Sequence, residues 1–157
     1  MGMDGGVYIA VFRLDAARRI RVGGLGWVRL RRGTYFYVGS AQKNLTARIE
    51  RHGRRRKPLR WHIDYLSVWA EMLGAVIVPG PRGRECEIAR ELADLFEPAV
   101  QGFGASDCRC PAHLFLKIGT HPSFPHGRKV HARPGNPETR VRPYFPHVNS
   151  SRAPSPV

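Results

Sequence analysis

Gly6-Val7-Tyr8-Ile9-Ala10-Val11-Phe12 and Thr34-Tyr35-Phe36-Tyr37-Val38-Gly39 are the two stretches on which the fold turns. Both are dense in β-branched and aromatic residues, which fit a pleated, packed surface. The first looks apolar on both faces and so predicts a central strand. The second is entered through Gly33, a natural punctuation point. Between them, Arg19-Ile20-Arg21-Val22 and Trp27-Val28-Arg29-Leu30 alternate around the turn-prone Gly23-Gly24-Leu25-Gly26. That pattern predicts an inserted β-hairpin with a basic face.

Downstream of the second strand, Asn44 suits a helix N-cap and Gly53 its close, so a helix is expected from there to about His52. Within it Leu45 and Ile49 lie one turn apart and face inward, whereas Arg48 and His52 share a neighbouring polar stripe. Pro58 suits the start of a further helix anchored by Trp61, Tyr65 and Leu66, with His62 and Asp64 between the anchors. Ala75-Val76-Ile77-Val78 reads as a short buried strand stopped by Pro79-Gly80-Pro81. The stretch from about Arg84 to Glu97 is amphipathic, with Ile88, Leu92, Leu95 and Phe96 inward and Pro98 ending it. Glu85 falls on the shoulder of that inward face, whereas Glu87 aligns with Glu91 and Asp94 outside. A last strand is expected over 113–118. The fold class is therefore α+β: a small central, mainly antiparallel sheet flanked by helices, with an inserted hairpin. One domain is expected over residues 5–119.

From Thr120 onward the character of the chain changes. Residues 120–157 hold eight of the thirteen prolines and one acidic residue, without apolar periodicity, which predicts a disordered basic tail. The tail carries a net +5 of the chain's +14, so +9 belongs to the domain itself. At 157 residues and 42% hydrophobic, the chain can bury one core of ordinary size. A pI near 11.0 far exceeds what solubility requires and points to phosphate polyanions as partners. No segment has the length and apolarity of a membrane span, and the opening residues lack the regions of a signal peptide. A cytoplasmic protein without a membrane partner is expected. Three cysteines in such a chain argue against a disulfide framework and for thiol chemistry or metal binding.

Certain side chains could do chemistry together. A tyrosine from each of two neighbouring strands, Tyr8 and Tyr37, and an arginine from the next helix, Arg48, can converge on one phosphate, while the carboxylate of Glu85 holds a metal ion. His52 could assist proton transfer because its reference pKa lies near neutrality. Each has a plainer reading: core aromatics for the tyrosines, a solvated charge for Arg48, helix-terminus electrostatics for His52 and Glu85. Arg51, Arg54, Arg55, Arg56, Lys57 and Arg60 crowd around the same region and form the expected nucleic-acid-binding surface. Separately, Cys108-x-Cys110-x-x-His113 with Cys86 could supply the Cys₃His donor set of a structural zinc site; buried free thiols are the plainer reading.

Gly6-Val7-Tyr8 and Tyr37-Val38-Gly39, followed by Arg48-Ile49-Glu50-Arg51-His52, resemble the GIY-YIG nuclease superfamily. The strings Tyr37-Val38-Gly39-Ser40-Ala41, Trp61-His62-Ile63-Asp64-Tyr65-Leu66, Glu85-Cys86-Glu87 and Gly102-Phe103-Gly104-Ala105-Ser106-Asp107-Cys108-Arg109-Cys110-Pro111-Ala112-His113-Leu114 are more closely similar to its branch known as the domain of unknown function 123, or Uri-type, family. The likeness spans roughly Gly6 to Ile118. It implies a metal-dependent endonuclease hydrolysing phosphodiester bonds, with DNA the expected substrate. By motif position, Tyr8 or Tyr37 would orient or deprotonate water, Arg48 would clamp the scissile phosphate, and Glu85 would bind Mg²⁺ or Mn²⁺. The different-class reading is a noncatalytic DNA- or RNA-binding module that keeps the fold. The inserted hairpin departs from the superfamily, whose two tyrosine strings usually stand closer together in the chain.

Overall fold

A computed structural model of the protein describes residues 4–117 and 142–145. In chain order the elements are β1 (Gly6–Leu14), β2 (Arg18–Val22), a 3₁₀ turn at Gly23–Leu25, β3 (Gly26–Leu30), β4 (Gly33–Ala41), α1 (Leu45–Gly53), α2 (His62–Ser67), β5 (Glu71–Val78), α3 (Arg84–Leu95), β6 (Glu97–Pro98), β7 (Leu114–Lys117) and β8 (Arg142–Tyr144). Six of the strands form one antiparallel sheet in the order β6-β7-β4-β1-β5-β8, and β2 pairs with β3 as a separate ribbon. The α+β architecture with its inserted hairpin is thus the one the sequence predicts.

The two-sided apolar pattern of β1 has a direct cause. Tyr8, Ala10 and Phe12 project to one face of the sheet, where they pack with Leu45 and Ile49 of α1, Ile63 and Leu66 of α2, and Ile20, Val22 and Leu30 of the hairpin. Val7 and Ile9 project to the other, against Ile88, Ala89 and Leu92 of α3. The sheet is therefore a middle layer, and each large apolar side chain fully withdrawn from water contributes roughly 1.5–3 kcal/mol before the entropy of ordering it. Antiparallel pairing of β1 with β4 runs in register from Gly6↔Ala41 to Leu14↔Gly33, which places Tyr8 opposite Gly39 and Tyr37 opposite Ala10.

Several local expectations are corrected. Asn44 occupies the N-cap of α1 in a left-handed conformation (φ 55°), but its side chain caps nothing. The donors at that helix start go instead to Asp4: Leu45 N–H to its carbonyl and Thr46 N–H and Oγ1 to its carboxylate. Pro58 does not open α2, which begins at His62 after Trp61. In α3 the expected inward Leu95 is 66% exposed, because the helix ends there and Phe96 turns in to stack on Phe36 at 4.8 Å. The tail is not featureless throughout: Arg142–Tyr144 lies antiparallel to β5 and covers its open edge. Pro143 is tolerated there because β8 is the outermost of the described strands. The remaining residues of the predicted disordered segment lie outside the described ones.

Candidate functional site

Where β1 and β4 meet the start of α1, the sheet has to admit the phenol of Tyr8 beneath the backbone of β4. A β-carbon on Gly39 would stand 2.5 Å from Tyr8 Oη and 2.6 Å from Cζ, so only glycine permits this close approach. Tyr8 is 1% exposed, and its ring lies 6.4 Å from that of Tyr37. Both tyrosines face a cleft of about 660 Å³ whose walls include Ser40, Arg48, Trp61, His62, Glu85 and Asp107. Tyr37, Arg48 and Glu85 are thus brought to one cleft with Tyr8, as the sequence pattern requires.

Arg48 is held from both sides. Its Nη1 donates to the Ser40 carbonyl at 2.7 Å, and its guanidinium lies 4.7 Å from the centre of the Trp61 ring. Arg51, one turn along α1, lies 4.5 Å from the same ring. Ser40 also donates through its hydroxyl to Glu85 Oε2, so one residue fixes the arginine through its carbonyl and the glutamate through its side chain. Glu85 sits in the first turn of α3, and its Oε1 lies 2.9 Å from Nδ1 of His113. Burial opposes ionisation of Glu85, but the hydrogen bonds from His113 and Ser40 outweigh it and hold the carboxyl below its ordinary value. The site therefore presents one ionised carboxylate and one oriented guanidinium to the same space.

Burial decides the protonation of the tyrosines and of His52. Burial, with Tyr37 adding to it, pushes the Tyr8 phenol well above its usual range, and burial followed by the charge of Glu85 does the same to Tyr37. As placed here both stay protonated at neutral pH, so neither phenol is a ready base. His52 is 1% exposed and does not line the cleft. Burial, aided by the charge of Lys57, drives its pKa down to about 3, which corrects the expected proton-transfer role. Its Nε2 lies 2.6 Å from Tyr8 Oη, so this neutral ring positions the tyrosine from behind. Its Nδ1 has no partner among the described residues.

The basic cluster divides into an inward and an outward set. Arg54, Arg55 and Arg56 are exposed, and Arg60 lies at the cleft wall. Arg51 and Lys57 are withdrawn from the basic surface expected to meet nucleic acid, because both serve the buried carboxylate of Asp64. Arg51 grips it at 2.7 and 3.0 Å, and Lys57 Nζ stands 3.9 Å away while donating to the carbonyls of Arg51 and His52 and to Ser67 Oγ. Backbone N–H groups of Arg60 and Trp61 complete the shell at 2.8 and 3.0 Å. Burial alone would raise the Asp64 pKa, yet these hydrogen bonds leave it below its ordinary 3.8. Removing the carboxylate strands two cations, and Asp64→Ala is expected to cost about 3–5 kcal/mol in urea unfolding at pH 7. Because the folded-state pKa is the lower one, this stabilisation is complete above pH 3.8 and drains away as pH falls through the folded value. An Asp64→Ala protein as stable as wild type at pH 7 would show the pair to be incidental.

Cys86 of α3 and Cys108, Cys110 and His113 of the loop before β7 come together, with all four donor atoms within 4.8 Å of one another. The Cys₃His cluster could hold a metal ion. The loop is built for this. Gly102 and Gly104 take positive φ (79° and 71°), and a β-carbon on Gly104 would stand 3.1 Å from both Tyr37 and His113. The backbone of His113 donates to Phe103 and accepts from Val38, so the loop is sewn to β4 beside the cleft. An ionised carboxylate only accepts, so Nδ1 of His113 carries the proton toward Glu85. In the neutral ring that leaves the Nε2 lone pair facing Cys108 Sγ at 3.4 Å. A ligating histidine oriented by a carboxylate is a recurrent arrangement around metals.

Among the cleft residues that escaped the sequence reading are Ser40, Trp61 as an arginine platform, and His62, whose Nδ1 accepts from Gly104 N–H at 2.9 Å. In the neutral ring that bond leaves the His62 proton on Nε2. Residues 7–130 match the model of the family described as Domain of unknown function DUF123. No curated protein and no solved structure matches the chain. Among the described residues, no helix is long and apolar enough to cross a membrane.

Proposed function

We propose that the chain, which belongs to the DUF123 family, is a divalent-metal-dependent endonuclease of GIY-YIG type acting on nucleic acid, DNA in the first instance, in the cytoplasm. The observation that carries this reading is the convergence of Tyr8, Tyr37, Arg48 and Glu85 on one cleft in a strongly basic protein. Phosphodiester hydrolysis needs an aligned water, compensation of charge growing on the phosphoryl oxygens, and help for the departing alkoxide. Arg48, tethered at Ser40 and stacked on Trp61, offers a fixed fork to a phosphate. The phenols accept from, or donate to, a water without changing charge, and His52 holds Tyr8 in place from the interior. Glu85 fits Mg²⁺ or Mn²⁺: it is ionised, and a single carboxylate suffices where waters and phosphate oxygens complete the shell. Such an ion, when bound, supplies Lewis-acid charge next to the phosphate.

The metal of the Cys₃His cluster we assign as zinc, held structurally. Thiolate and imidazole donors are the wrong set for magnesium and the right one for zinc. Donor atoms about 2.3 Å from an ion stand roughly 3.8 Å apart in a tetrahedron, so the cluster needs only modest contraction.

One observation favours a second reading. Glu85 already has a structural task as the partner of His113, which accounts for it without catalysis in a noncatalytic DNA- or RNA-binding module. A panel of labelled duplex, branched and single-stranded DNA and RNA, incubated with the protein and either Mg²⁺, Mn²⁺ or EDTA, separates the two. The nuclease reading expects metal-dependent cleavage of at least one substrate. Binding without cleavage across the whole panel leaves the binding module.

A further inference from the structure

We infer that the outward face of the β2–β3 hairpin is a stacking platform for an unpaired stretch of nucleic acid that leads into the cleft. The inference rests on the nucleic-acid reading above and adds a second surface to it, one made of residues the cleft does not use.

Ile20, Val22 and Leu30 bury the inner face of the ribbon, which leaves Arg19, Arg21, Trp27 and Arg29 on the outer one. Cross-strand register sets Arg19 opposite Arg29 and Arg21 opposite Trp27. Like charges directly opposite each other destabilise a ribbon, and residues 16–32 contain no Asp or Glu to relieve them. Among the described residues, none of these three arginines forms an ion pair. An anion placed across the ribbon removes that repulsion.

Charge alone would suit any polyanion, but the aromatic narrows the choice. Trp27 is 62% exposed, with the Arg19 guanidinium 5.2 Å from its ring centre. The similar pair of Arg18 and Trp69, 4.3 Å apart, belongs to the other face of the ribbon, where Arg18 stands opposite Leu30, so Trp27 is the aromatic of the outward face. Indole surface interleaved with arginine is what unpaired bases and their phosphates recognise. A duplex keeps its bases stacked on one another and offers the indole nothing comparable.

The location connects this face to the cleft. At the hairpin tip, a β-carbon on Gly23 would lie 3.9 Å from His62, which lines the cleft, and the Leu25 side chain reaches to within 3.4 Å of a β-carbon on Gly102 in the loop that carries the cysteines. Trp27 follows the tip in the chain, so the platform lies at the end of the ribbon that reaches toward His62.

Fluorescence anisotropy with labelled blunt duplex, single strand and duplex bearing a single-stranded overhang tests the inference on the full-length protein. Trp27→Ala is expected to weaken binding of the single strand and the overhang duplex by about tenfold, as the loss of one base–aromatic stack does. Binding of blunt duplex should stay within about twofold, and Trp27→Phe should recover most of the loss. Arg19→Gln with Arg29→Gln should lower the salt dependence of single-strand binding. Unchanged single-strand affinity in Trp27→Ala, or an equal loss on blunt duplex, overturns the platform. Its failure is separable from that of the nuclease reading. A wild type that cleaves nothing yet shows the Trp27-dependent preference keeps the platform and loses the enzyme. A wild type that cleaves, with Trp27→Ala binding every substrate equally well, does the reverse.

Discussion

Glu85→Gln and Arg48→Ala are each expected to reduce single-turnover cleavage by at least about a hundredfold while nucleic-acid binding changes no more than a few-fold. The separation follows from where each group acts. Arg48 is one cation on a surface of net charge +14, so its loss is a small part of ground-state attraction. Charge developing on the phosphoryl oxygens, by contrast, has few fixed donors to meet it, and Arg48 is the cleft-lining arginine held by both a backbone carbonyl and an aromatic platform. Glutamine at 85 keeps an acceptor for His113 but loses the negative charge that a hard divalent ion requires. Rapid-quench assays at saturating protein, paired with anisotropy, read the two effects separately. Should Glu85→Gln cut at the wild-type rate in Mg²⁺, the carboxylate is a structural partner of His113 and nothing more. If either substitution weakens binding as much as cleavage, the cleft recognises rather than reacts.

The parts of this site legible in the sequence are those that local periodicity controls. Tyr8 and Tyr37 sit on strands whose composition announces them, and antiparallel register then decides that Tyr8 meets Gly39. Glu85 was separable from Glu87 because helical spacing puts the two on different faces. What stayed hidden depends on partners distant in the chain. Arg51 and Lys57 look like members of a solvated basic run until Asp64, on the next helix, captures them. His52 looked polar and aimed, although Leu45, Ile49 and His52 share the inward 45-49-52 spacing of α1, a signal that was available. β8 has no signal of its own: Pro143 argues against a strand, and only the open edge of β5 makes one. Ser40 shows no more than a small polar residue ending a strand motif, and its double role exists only once α1 and α3 are in place.

Protein purified without added metal is expected to carry about one zinc per chain, and Cys108→Ser to lose it together with thermal stability on the order of 10 °C. The size of the effect comes from topology. Cys86 belongs to α3 on one face of the sheet, whereas Cys108, Cys110 and His113 end a long loop, so an ion joining them closes that loop onto the helix. Without a cation the thiols work against one another. Burial, aided by the neighbouring sulfurs, pushes Cys110 up to about 12, and burial raises Cys86; only Cys108, hydrogen-bonded by Cys110, is lowered, so three adjacent thiolates form only when positive charge sits among them. Loss of the ion also frees His113 from its fixed orientation and with it the hydrogen bond that aims Glu85, so cleavage should fall in Cys108→Ser even though no cysteine lines the main cleft. The dependence runs one way: Glu85→Gln, which still offers His113 an acceptor, should retain its zinc. Elemental analysis and melting curves of the wild type and both variants decide the matter. A zinc-free wild type that melts no lower than metal-loaded protein would leave the three cysteines as packed thiols, with Glu85 held by Ser40 and His113 alone.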